Sequence, residues 1–148
     1  MCVPSKMNRN YESLVNTLVK RGSYFEFHPR MLPKGISRCI LMNYFRILSP
    51  IMLILHGSTI SGAKFSTKKN SDLDIVCVSL KAAFWPLEQL YERIYENLKN
   101  EDIEIDVSIM TYNELLSIVE GESSLSTSFR HGFSILYEER KDELHKSN

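Results

Sequence analysis

Two aspartates, Asp72 and Asp74, flank Leu73 at the opening of an apolar run that continues Ile75-Val76-Cys77-Val78. In a strand, residues two apart share a face, so both carboxylates project together while Leu73, Ile75 and Cys77 point the other way. Paired carboxylates at the mouth of an apolar strand repel each other, or one pKa rises, unless a cation lies between them. Hard oxygen donors at this spacing suit Mg²⁺, which takes one or two carboxylates and completes its shell with water and substrate phosphates. Upstream, the apolar run Ile51 to Leu55 breaks into His56-Gly57-Ser58. A glycine there lets the backbone turn sharply and approach a ligand, and exposed N–H groups with the Ser58 hydroxyl suit phosphate oxygens. Downstream, Ile103 to Ile109 alternates strictly and puts Glu104 and Asp106 on the polar face of a third strand.

The elements that must position these groups are legible from periodicity. Tyr11, Leu14, Val15, Leu18 and Val19 recur at helical spacing, predicting an amphipathic helix from Tyr11 to Arg21 stopped by Gly22. Ser23 to Gly35, with two prolines and alternating Tyr24-Phe25-Glu26-Phe27, reads as a loop or short edge strand. Ile40, Leu41, Tyr44, Phe45 and Leu48 predict a helix from Ser37 to about Leu48, closed by Ser49-Pro50 and feeding the strand Ile51 to Leu55. After the strand Leu73 to Ser79, the positions Leu87, Leu90, Tyr91, Ile94, Tyr95 and Leu98 line one helical face, with Trp85-Pro86 at its start. Thr111 to Glu114 is a capping box for a helix ending near Glu120, and Ser124 to Arg130 is a further short helix. His131-Gly132 ends it, and Phe133 to Tyr137 reads as a last strand before a charged tail.

A chain of 148 residues suffices for one core but not two. Lys+Arg and Asp+Glu both number 18, so no global field points to nucleic acid or an acidic membrane. Cys2, Cys39 and Cys77 form no CxxC pair, which fits a reduced, cytoplasmic setting, and no apolar run reaches the ~18 residues of a membrane span.

Taken together, His56-Gly57-Ser58, then Ser71-Asp72-Leu73-Asp74, then Ile105-Asp106-Val107 resemble the minimal nucleotidyltransferase domain of the DNA polymerase β superfamily. The closing Gly132 to Glu138 is similar to the glycine-hydrophobic-Leu-Tyr ending of these small domains. The likeness implies an α/β (α+β) fold with a small mixed sheet of about four strands flanked by helices. It divides the chain into an N-terminal extension, 1–36, a nucleotidyltransferase domain, 37–137, and a tail, 138–148. It implies Asp72, Asp74 and Asp106 as the catalytic, Mg²⁺-binding triad, with Gly57 and Ser58 holding the nucleoside triphosphate. Thirteen residues separate Ser58 from Asp72, longer than is usual in small members, so the basic stretch Lys64 to Lys69 is expected to bulge as a loop.

Single-domain proteins of this kind resemble the antitoxins that work with a separate helical HEPN-type partner. The activity so implied is transfer of AMP from ATP to a hydroxyl of a protein partner. An aminoglycoside-type small-molecule transferase is the alternative enzyme class, and a degenerate domain that only binds nucleotide or a partner is the non-enzymatic one. With every element assigned to one compact layer, the site should be open on one side, to be closed by an acceptor protein or by a second copy of the chain.

Overall fold

The computed structural model describes residues 14–57, 60, 73–101 and 104–139. Ser58, Asp72, the stretch Lys64 to Lys69, Cys2 and the tail beyond Glu139 lie outside them, as do Tyr11 and Ile103. The fold is α+β: among the described residues, five α-helices surround an open, mixed four-stranded sheet of order β3-β2-β1-β4. The strands are β1 (Pro50–His56), β2 (Leu73–Ser79), β3 (Ile105–Met110) and β4 (Phe133–Glu138). β1 pairs antiparallel with both β2 and β4, and β2 pairs parallel with β3. The C-terminal end of β1 and the N-terminal ends of the other three strands therefore meet at one edge of the sheet. Both central strands are covered on two faces, which is why they read as continuous apolar runs.

One face carries α2 (Arg38–Phe45) and α3 (Leu87–Leu98). Ser37 caps α2, its hydroxyl accepting from the Ile40 N–H at 3.1 Å. The helix expected to reach Leu48 is α-helical only to Phe45. Its last turn tightens into a 3₁₀ segment, Arg46–Leu48, and Ser49 turns left-handed at φ 49°. Pro50 excludes the right-handed helical conformation from the residue before it, so the helix ends there. α3 is the crossover that parallel β2 and β3 require, and it buries Leu90, Ile94 and Leu98 against the sheet. Leu87 and Tyr95, on the expected stripe, are instead 41% and 40% exposed. Tyr95 and Tyr91 have another task. β3 is an edge strand, and its outward N–H groups at Val107 and Ile109 donate to the hydroxyls of Tyr95 (3.0 Å) and Tyr91 (2.8 Å).

The opposite face is covered by α1, whose described part spans 14–21, α4 (Tyr112–Glu120) and α5 (Ser124–His131). Leu14 and Leu18 are fully buried with Val76, Leu115, Phe129 and Phe133, so α1 belongs to the same core as the sheet. The capping box at Thr111 and Glu114 forms as the spacing predicts, and a second, Ser123 with Ser126, starts α5. Gly22 lets the chain leave α1 tightly, because a Cβ there would meet the Phe133 ring at 2.8 Å and the Phe129 carbonyl at 2.9 Å. The segment after it is neither wholly loop nor strand. Tyr24 bridges Phe133 in parallel, with the Phe25 N–H donating to the Phe133 carbonyl at 2.8 Å, and a 3₁₀ turn follows at Pro29–Met31. No helix among the described residues is long and apolar enough to cross a membrane.

Candidate functional site

The edge where β1 ends and the other strands begin gathers the described candidates. Asp74 is the second residue of β2, and Asp106 the second of β3. The parallel register sets them directly opposite each other. Leu73, Ile75, Ile105 and Val107 pack into the core under α2 and α3, so alternation turns Asp74 and Asp106 together toward the α5 side. Asp106 is exposed and Asp74 half-buried. Adjacent strands lie roughly 4.8 Å apart, which makes the two carboxylates neighbours on one face.

Gly57 completes this corner. Its φ of +96° is one that residues with a side chain rarely adopt, and a Cβ there would stand 2.4 Å from Asp74 Oδ2. Only glycine lets the turn after β1 pass this close to the carboxylate. The turn continues with the Ile60 N–H donating to the Gly57 carbonyl at 3.1 Å. Asp72 and Ser58, the other members of the expected set, lie outside the described residues.

His56 stands opposite Asp74 across the β1–β2 ladder and is 9% exposed. Its Nδ1 shares a 2.8 Å hydrogen bond with Ser128 Oγ on α5, and its ring meets Phe129 edge-on at 5.3 Å. Burial pushes the imidazole pKa down to about 4, against the opposing pull of the Asp106 carboxylate. It is thus a neutral, packed residue beside the carboxylates. Ser128 has no signal in the sequence beyond lying on a short helix, 72 residues from the histidine it holds.

The remaining candidates separate clearly. Glu104 is exposed and precedes β3, its carbonyl accepting from the Leu73 N–H at 3.0 Å. Beside Asp106 opens a cleft of about 580 Å³, lined by Glu104, Tyr95, Leu98, Lys99, Glu101 and Ile105. Arg130 is tied to Glu122 at 3.2 Å and Thr127 at 3.1 Å. Trp85 follows the far end of β2, so it is remote from this edge, and its ring carries Lys81 and Arg93. Cys77 is fully buried, and burial pushes its thiol pKa far up, as befits an inert core cysteine.

The donor set suits a hard cation. Two carboxylates converge from neighbouring strands, while the adjacent imidazole is committed to Ser128. Among the described residues no three His, Cys, Asp or Glu side chains form a metal-holding group, and the third expected ligand, Asp72, falls outside them. Asp74 and Asp106 would hold Mg²⁺ at this corner, with the Gly57 turn beside it. No protein-family model matches this chain, and no curated protein does.

Proposed function

We propose that this chain is a nucleotidyltransferase resembling the minimal members of the DNA polymerase β superfamily, transferring AMP from ATP to a hydroxyl of a protein partner. The observation that carries the reading is the in-register pair Asp74 and Asp106 at the strand ends, with the Gly57 backbone pressed against the Asp74 carboxylate. Bound there with Asp72, Mg²⁺ would neutralise triphosphate charge and lower the pKa of the acceptor hydroxyl. Asp106, the more exposed carboxylate, would accept the hydroxyl proton as the oxygen attacks the α-phosphorus. The new bond is O–Pα, the bond to the bridging oxygen breaks, and pyrophosphate leaves. Gly57, with Ser58 after it, would hold the triphosphate through backbone N–H groups. The unpaired Cys39 and Cys77 fit a reduced, cytoplasmic setting for this chemistry.

A site at the strand ends that is open on one side, as the sequence leads one to expect, is one that a helical protein partner of the HEPN type would close with its own surface. The test is intact-mass analysis of a co-purified partner after incubation with ATP and Mg²⁺. Added nucleotide mass that disappears in Asp74→Asn is expected. That variant should stay folded, since removing one of two facing carboxylates relieves repulsion in the metal-free protein, but it should lose most Mg²⁺-dependent ATP binding. Unchanged ATP binding in Asp74→Asn would overturn the assignment.

One observation favours the second reading, a small-molecule acceptor. The open cleft of about 580 Å³ at Asp106 has the volume of a small-ligand site, and Glu101 and Glu104 would suit a cationic one. Label from α-labelled ATP appearing on an aminoglycoside, with none on protein in a cell extract, would select this reading over the first.

A further inference from the structure

The end of the sheet opposite the carboxylates carries an apolar surface with no occupant among the described residues. Between β2 and α3 the chain runs through a 3₁₀ turn, Leu80–Ala83, and then Phe84-Trp85-Pro86. Phe84 is 85% exposed, Leu80 43%, Leu87 41% and Trp85 39%. A phenylalanine so far out of the core contributes about 170 Å² of apolar area alone, and the four side chains together expose roughly 400 Å². A standard interface covers about 800 Å² per partner, somewhat over half of it apolar. The patch therefore supplies most of the apolar centre of one ordinary interface.

Its rim says what would cover it. Lys81 and Arg93 sit over the Trp85 ring, at 5.4 and 5.2 Å from its centroid. Glu88 and Glu92, both exposed, stand on the adjoining turns of α3. None of these four charges is in an ion pair among the described residues. A partner of one charge sign would satisfy half of this rim and oppose the other half. A second copy carries both signs on its own rim, so across a two-fold axis it can set cations against carboxylates and bury the apolar centre of both. The formal net charge of zero leaves no long-range repulsion between copies.

We propose that Leu80, Phe84, Trp85 and Leu87 form the centre of an isologous dimer interface of this chain. Because β2 separates this surface from Asp74, the dimer holds its two carboxylate sites at its outer ends and leaves both open. The second copy therefore walls neither site, and an acceptor must still be supplied from elsewhere.

Sedimentation velocity of the full chain, from micromolar to submillimolar concentration, tests the proposal. Reversible dimerisation is expected, weakened at least about thirtyfold by Phe84→Glu, the scale of an interface hot spot. Arg93→Glu, which should weaken it less, guards against a result peculiar to position 84. Both positions are exposed, and unchanged circular dichroism would show that the fold persists. A wild-type chain that stays monomeric throughout the range overturns the proposal, even if another protein binds through Phe84. So does a dimer that Phe84→Glu leaves intact.

Discussion

Asp106 and Glu104 are both carboxylates at one end of a strand, both exposed, and two residues apart on one face, yet their surroundings differ. Asp106 has Asp74 directly opposite in register, while Glu104 lies one step outside the strand beside the cleft. Asp106→Ala is expected to lower transfer by at least about a hundredfold, the scale of a lost acid–base group, with ATP binding largely kept. Glu104→Ala should have little effect on transfer to a protein, and equal losses in steady-state assays would assign the wrong carboxylate. His56 offers a test that needs no substrate. Its imidazole titrates at about 4 when folded and near 6.5 when free, so between those values the unfolded chain binds more protons. Its contribution is complete above the unfolded value and is lost as pH falls through this window, by on the order of 3 kcal/mol. His56→Asn should flatten the decline in unfolding free energy between pH 7 and 4, measured by urea titration; an unchanged slope would show that other groups cause it. Asp74 and Asp106 were legible in the sequence because alternation fixes which way a strand residue points. The tie from His56 to Ser128 was not, because it joins chain segments that only the folded sheet brings together.

At the scale of elements, the strands and helices with strong periodicity stand where the pattern puts them, from the Thr111 capping box to the apolar run of β1. The misses share a cause. The helix closed at Ser49-Pro50 runs to Leu48 as expected but tightens to 3₁₀ after Phe45, and Tyr24 reaches β4 by one bridge where Gly22 packs against Phe133. Both are decided by neighbours that a hydrophobic pattern does not encode. The two α3 tyrosines are the clearest instance. At helical spacing they look like core, but they use their hydroxyls to occupy the outer N–H groups of β3. That leaves the edge strand fewer free donors with which to recruit a foreign strand. Tyr91→Phe is expected to cost about 1 kcal/mol, the loss of one hydrogen bond with its donor left under the helix. Hydrogen exchange should show the Ile109 amide exchanging faster while the amides of β1 keep their protection. Ser49→Gly tests the left-handed joint ahead of β1: relieving a non-glycine residue at φ 49° should raise stability by up to about 1 kcal/mol in denaturant titration.

The described fold is closed by β4. β4 pairs with β1, and its first residue, Phe133, also takes the Ser23–Phe25 segment and packs under α1 and against Phe129. A chain truncated after Gly132 is therefore expected to lack a cooperative thermal transition, whereas one ending at Glu139 should retain it; calorimetry of the two distinguishes them. During synthesis α1 then waits for the last of its core partners, since Phe133, which also takes the residues after Gly22, leaves the ribosome after the rest of that core. Contacts joining such distant parts of a chain form slowly. Through that interval the apolar stripe of α1 is open to nonspecific association. The nascent chain is thus the form of this protein most in need of a chaperone.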